Sequence, residues 1–215
     1  MKTFISFCLL LSSSVFLFSC SESDEENSEF VNWQSRNDAF VVSLANDSLA
    51  SSHSDYQWRR LKSYSLDETT EGQPADYVYV KVISQGDTNG ASPMFTDSVR
   101  VSYQGRLIPS ASYPLGYVFD STAGSTYDSA TNATVKFQMV TSAGVENLVS
   151  GWITALMHMH RGDHWRVFIP YQLGYNNTDK TSQGIPAYST LIFDITLIDF
   201  APAGHSMSVW SSRRK

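Results

Sequence analysis

Residues 190–200 read Thr-Leu-Ile-Phe-Asp-Ile-Thr-Leu-Ile-Asp-Phe. For most of its length this run is apolar on both faces, so a strand built from it needs cover on both sides. Such a strand belongs in the middle of a sheet, and the rest of the chain must supply its neighbours. From Tyr77 onward Val78, Val80 and Val82 alternate with Tyr79 and Lys81. Val99, Val101 and Tyr103 alternate in the same way with Arg100, Ser102 and Gln104. Period-two alternation predicts half-buried strands, with a turn at 86–90 between them. Further strands are predicted at 117–119, at 134–140 (Val135, Phe137 and Met139 on one face) and at 164–170. One convincing helix interrupts them. Leu148, Trp152, Leu156 and Met159 recur at helical spacing as a single apolar stripe, and Gly162 stops it. One helix against a mostly antiparallel sheet predicts an α+β domain over residues 77–200. With 13% aromatic and only 17% charged residues, the composition favours a pleated surface over a helical bundle.

The ends of the chain carry a different message. Lys2 precedes an apolar run from Phe4 through Phe18, too short for a membrane span and of the right length for a secretory signal over 1–19. Leu17-Phe18-Ser19-Cys20 resembles a bacterial lipobox, which implies cleavage before Cys20 and acylation of its thiol. Cys8 would be discarded with the signal, leaving no free thiol and no disulfide. Residues 20–29 form an acidic tether, with Glu22, Asp24, Glu25 and Glu26 close behind Cys20. An acidic run in that place resembles the surface-export signal of some Gram-negative outer-membrane lipoproteins; a plain spacer is the other reading. The expected location is therefore a bacterial envelope membrane, the outer one, at its periplasmic face or at the cell surface. A net charge of −6 argues against binding to phosphate backbones, so nucleic acid is not an expected partner.

Between tether and domain, Phe30, Trp33, Phe40, Val41 and Leu44 fall near helical spacing, ended by Asn46-Asp47. Beyond them Trp58, Leu61, Tyr64 and Leu66 are the only strong anchors. Residues 30–76 are read as a helical or irregular extension packed on the domain. Residues 201–215 are read as a tail, which Trp210 would dock.

Within 77–200 the residues become specific. Val-Arg-Val-Ser-Tyr-Gln-Gly-Arg-Leu (99–107) resembles the V-x-V-x-Y-x-G-x-L strand of FKBP-type peptidyl-prolyl isomerases. In that family's order follow Phe119-Asp120-Ser121, Leu148-Val149-Ser150-Gly151-Trp152, then Met159 and Gly162. Ile169-Pro170-Tyr171-Gln172-Leu173-Gly174-Tyr175 comes next, and Gly184-Ile185-Pro186 leads into Leu191-Ile192-Phe193-Asp194. The resemblance implies an FKBP-like antiparallel sheet wrapped on one short helix. It also implies an isomerase of prolyl bonds whose partners are proline-containing peptides or unfolded exported proteins.

Position by position, Tyr103, Phe119, Val149, Trp152 and Phe193 match the apolar floor and walls of the family's pocket, with the Trp152 indole as its base and Leu148 beside them. Asp120 matches the aspartate at the rim. Tyr175 matches the tyrosine whose hydroxyl donates to the bound peptide's carbonyl, and the Val149 amide matches a second donor. Ile185 and Tyr188 match the loop that closes one side. The residue types suit the chemistry. Rotating a prolyl amide meets a barrier of ~18–20 kcal/mol but breaks no bond, so no nucleophile, cofactor or metal is required. An apolar cavity desolvates the dipolar planar amide, and a few donors hold the carbonyl.

Four departures keep an alternative open, a non-catalytic FKBP-fold chaperone or cell-surface binding module. Val135 stands where the family has an aromatic wall. Gly174-Tyr175-Asn176 replaces Ala-Tyr-Gly. The loops 108–118 and 123–134 are long. His158, His160 and His164 do not make a metal site: helix positions two apart point about 200° from each other, and no cysteine or acidic cluster completes a ligand set. They are expected at the surface.

One prediction belongs to the leader. Cys20→Ser should move the protein from the membrane fraction to the soluble fraction; unchanged fractionation, or an intact bond between residues 19 and 20 by mass spectrometry, overturns the lipobox reading.

Overall fold

The computed structural model describes residues 29–50, 57–122, 133–141 and 143–207. The signal, Cys20, the tether's Glu22, Asp24, Glu25 and Glu26, most of the 123–134 loop and Trp210 lie outside the described residues.

The two-faced apolar run forms the longest strand, β7 (Leu191–Ala201). It lies between β6 (His164–Ile169) and β3 (Ser98–Arg106), with Ile195 and Leu197 fully buried. Outward from β6 come β2 (Tyr77–Ser84) and then β1 (Gln57–Lys62). On the far side β3 meets two partners along one edge. Residues 98–101 pair with β5 (Val135–Gln138), and residues 104–106 pair with β4 (Val118–Ser121). At the junction Thr122 takes over the ladder: its Oγ1 accepts from the Tyr103 amide at 2.8 Å, and its own amide donates to the Tyr103 carbonyl at 2.9 Å. All the pairings are antiparallel, as an α+β domain requires.

The strands fall close to the predicted positions, but the helix does not keep its predicted length. Helix α2 (Ser150–Leu156) has seven residues, and Gly151 through Leu156 are all buried. The spacing continues to Met159 because Met159 also fills the core, at 0% exposure, although the chain has left the helix there. Gly162 acts further on, in the turn before β6, where φ is +88° and its amide donates to the Leu197 carbonyl at 2.7 Å. Gly151 has a packing reason: a Cβ there would run into the Ile169 side chain, so only glycine lets α2 settle on the sheet.

The extension is more ordered than its sequence suggests. Helix α1 (Trp33–Ala50) continues past Asn46-Asp47, and Ser48 turns its hydroxyl back to the Ala45 carbonyl at 2.9 Å. Its buried stripe is Trp33, Asn37, Val41, Leu44 and Ala45, so a polar residue interrupts the apolar pattern and Phe30 is left exposed. After it, β1 pairs with β2 in unbroken register from Gln57↔Val82 to Lys62↔Tyr77. Gln-Trp-Arg-Arg-Leu-Lys lacks a strand's apolar alternation and is held by its neighbours instead. Trp58 stacks on Phe168 at 5.9 Å, Arg59 lies 4.9 Å above Trp165, and Arg60 lies 3.7 Å above Tyr77. Charged side chains also suit an edge strand, where they discourage pairing with another chain.

Because Ile195 is fully buried on the central strand, Ile195→Ala should cost about 2–5 kcal/mol of stability in urea denaturation. Val42→Ala on the exposed side of α1 should change it by less than about 0.5 kcal/mol. Equal effects would mean that β7 is not the core.

Candidate functional site

A cavity of about 440 Å³ opens between α2 and the β3–β7 part of the sheet. Trp152, 4% exposed, stands at its base and is packed edge-on by three rings. Phe193 of β7 lies 5.1 Å away, Tyr103 of β3 5.2 Å and Phe137 of β5 6.0 Å, all between ring centroids and near perpendicular. Edge-to-face contacts of this kind lock the rings against one another, so the apolar wall is held in shape before anything binds. Phe119 of β4 extends it, 5.5 Å from Phe193. Gly105 makes that last contact possible. A Cβ on Gly105 would stand 2.5 Å from the Phe193 ring and 2.6 Å from Phe119.

Polar groups gather at the rim. The Tyr103 hydroxyl donates to Asp120 Oδ2 at 2.6 Å. Burial first, and that hydrogen bond second, push the Tyr103 phenol well above the ordinary tyrosine range. Tyr175 comes from the loop after the short 3₁₀ turn Tyr171–Leu173; burial raises its phenol too, and the negative charge of Asp120 adds to the effect. Lys180 Nζ sits 5.0 Å over the Tyr175 ring. Leu148 and Val149 line the cavity at the start of α2. Val149 is extended (φ −62°, ψ 147°), and its carbonyl accepts from the Trp152 amide at 2.9 Å.

Eight of the residues singled out in the sequence line this cavity: Tyr103, Phe119, Asp120, Leu148, Val149, Trp152, Tyr175 and Phe193. Ile185 is 1% exposed and bridges to Lys180, so it packs behind the loop and is not part of the lining. Tyr188 is also outside the lining; its ring packs edge-on against Tyr171 at 5.4 Å. Val135 corrects the sequence reading. It pairs with Val101 in the β5–β3 ladder, and the aromatic wall is supplied two residues on by Phe137, 6.1 Å from Tyr103. Residues two apart on a strand share a face, so the motif left the choice between them open. Four further lining residues were missed: Phe137, Glu146, Asn147 and Gln183. Only Phe137 had a periodic signal. Glu146 accepts a short hydrogen bond from the Tyr64 hydroxyl, and Asn147 Nδ2 donates to the Gln138 carbonyl at 2.9 Å.

The histidines do not converge. His158 Nδ1 is 2.8 Å from the Thr154 carbonyl, and His160 Nδ1 is 3.6 Å from Asp163 Oδ2. His164 is part-buried on β6, and that burial lowers its pKa. Among the described residues no group of three or more His, Cys, Asp or Glu could hold a metal ion. The arrangement is an apolar pit with neutral phenols at its mouth and two carboxylates, Asp120 and Glu146, in its lining. It suits holding an uncharged ring and an amide carbonyl.

Comparison with known proteins shows the family. The sequence profile described as FKBP-type peptidyl-prolyl cis-trans isomerase matches residues 90–198, about half of the chain, and the chain belongs to that family. It is 36% identical over 119 residues to the FKBP-type 22 kDa peptidyl-prolyl cis-trans isomerase of Escherichia coli (strain K12), covering 55% of this chain and 48% of that protein. It is 34% identical over 131 residues to the Macrophage infectivity potentiator of Trypanosoma cruzi, covering 61% and 56%. With Outer membrane protein MIP of Legionella longbeachae it shares 35% over 123 residues, covering 57% and 44%. The chain spans about half the length of these curated relatives.

The raised phenols give a pH prediction. A tyrosine whose folded pKa lies above its unfolded value of about 10 contributes stability that is complete below that pH and lost as pH rises past it. Thermal melts between about pH 8 and 11 should therefore show a fall that begins near pH 10, shallower in Tyr103→Phe than in the wild type. Identical slopes would mean that the Tyr103 phenol is not held neutral by the fold.

Proposed function

We propose that this chain is a peptidyl-prolyl cis-trans isomerase acting on prolyl bonds of exported proteins, with residues 77–200 as its isomerase unit. The observation that carries the reading is the ring-locked cavity over Trp152 with Tyr103, Asp120 and Tyr175 at its mouth. A proline ring seated on the Trp152 indole leaves its preceding amide among apolar walls. The planar amide is the more dipolar form, so desolvation there costs it more than the twisted form, and the barrier falls. The Tyr175 hydroxyl donates to a substrate carbonyl. Asp120 holds the Tyr103 hydroxyl and so fixes the ring that packs on Trp152. No proton is transferred and no covalent intermediate forms.

The envelope assignment rests on the lipobox at Cys20, the acidic tether behind it, and the relative named Outer membrane protein MIP. No helix among the described residues is long and apolar enough to cross a membrane, and a lipid on Cys20 would supply the attachment. A second reading, a chaperone or cell-surface binding module on the same fold, is favoured by the long 108–118 loop. That loop carries Leu115 at 78% exposure and Tyr113 at 43%, and it leads into β4. Turnover of a proline peptide separates the two.

In a protease-coupled assay on a proline tetrapeptide, Tyr175→Phe should lower kcat/KM by roughly 2- to 12-fold, the worth of one net hydrogen bond of about 0.5–1.5 kcal/mol. Trp152→Ala should lower it further, with stability measured alongside. The rate should be nearly flat between about pH 6 and 8 and indifferent to chelator and to His158→Ala. A bell-shaped pH profile or sensitivity to chelator overturns the mechanism. A wild type without activity favours the binding module.

A further inference from the structure

Helix α1 lies outside the family match, yet its first two turns grip the loop that carries Tyr175. Trp33, 6% exposed, donates from Nε1 to Ser189 Oγ at 2.9 Å, and that hydroxyl donates on to the Pro186 carbonyl at 2.6 Å. Asn37 is fully buried and uses both ends of its amide. Nδ2 donates to the Trp33 carbonyl at 2.8 Å, while Oδ1 accepts from the Thr190 amide at 2.7 Å. A buried amide satisfied on one side by its own helix and on the other by a distant loop is a two-ended clamp, because losing either partner leaves a desolvated polar group.

The clamped segment leads straight to the site. The Tyr188 amide donates to the Asn176 carbonyl at 2.8 Å, and the Asn176 amide donates to the Tyr171 carbonyl at 2.8 Å, so residue 175 is enclosed by this pair of bonds. Asn176 and Tyr188 both have positive φ, +55° and +61°. Backbone of that kind in residues other than glycine persists where the surroundings over-determine it, and α1 is part of those surroundings. The same helix also reaches the other long loop. Arg36 donates to the Pro109 carbonyl at 3.1 Å and to the Glu29 carbonyl at 2.9 Å, and Glu29 accepts from the Ser112 hydroxyl at 2.8 Å.

We infer that Trp33 and Asn37 are positioning residues for the isomerase site, clamping residues 188–190 and through them holding Tyr175 at the cavity mouth. The inference deepens the isomerase reading and rests on it for its kinetic part. It separates α1 into two functions along one helix: Val41 and Leu44 contribute packing, and the first two turns set the geometry of the loop.

The test uses the full chain. Trp33→Phe keeps an aromatic ring but removes the Nε1 donor together with the second ring of the buried indole, so stability is measured alongside; Asn37→Ala removes both amide bonds, and Asn37→Asp keeps an acceptor for the Thr190 amide. Trp33→Phe and Asn37→Ala should lower kcat/KM for a proline tetrapeptide by roughly 3- to 10-fold, mainly through KM, with Asn37→Asp recovering part of the loss. Amide hydrogen exchange over 175–190 should quicken, while exchange in β7 stays slow. In a Tyr175→Phe background the effect of Trp33→Phe should shrink below about twofold, because the residue being positioned has lost its donor. Additive effects in that background, or unchanged exchange over 175–190, overturn the clamp in favour of plain packing. If the wild type shows no isomerisation, the isomerase reading fails separately, and the exchange measurement alone decides the clamp.

Discussion

Helix α2 is seven residues long and buried on every side, and the core and the cavity both follow from that burial. A helix so short gains little from its own hydrogen bonds; tertiary packing has to hold it. Gly151 allows it to sit on Ile169, Thr154 bonds back to the Ser150 carbonyl at 2.8 Å, and the Tyr64 amide reaches the Thr154 hydroxyl at 3.3 Å from the far end of the sheet. Where the helix meets β3 and β7, Trp152 cannot be covered completely, and the uncovered part is the base of the cavity. Core and site share a residue, so neither can be altered without the other.

The walls show how an apolar cavity can be held in shape by rings alone. Four aromatic rings meet Trp152 or one another at steep angles, which fixes their positions through many small contacts in place of a few strong ones. The polar groups are few and mutually engaged. Asp120 and Tyr103 satisfy one another, and the phenols stay neutral because burial disfavours their ionised form. A pre-formed pit with mostly aromatic walls suits an uncharged amide.

The extension changes what the domain is. With β1 completing the sheet edge and α1 holding the 188–190 segment, residues before Tyr77 are structural parts of the folded unit. Loops tolerate positive φ at ordinary residues only with such outside help, and here the help comes from a helix more than 130 residues away in sequence.

What the sequence by itself determined is the class of fold and most of the cavity. Alternation in β2 and β3, the two-faced run of β7 and the ordered strings around Tyr103, Asp120, Trp152 and Tyr175 are local patterns, and local patterns survive being read one residue after another. What only the tertiary structure decided depends on partners far apart in the chain. The length of α2 was hidden because Met159 keeps the apolar spacing after the helix has ended. Strand β1 was hidden because its support is cation–π and stacking contact with rings on other strands. The choice of Phe137 over Val135 turned on which of two same-face residues reaches Trp152, and a period of two cannot distinguish them. Asn37 looked like a polar interruption of an apolar stripe. Its role needs Thr190, 153 residues later, and no local pattern encodes a hydrogen bond across that separation.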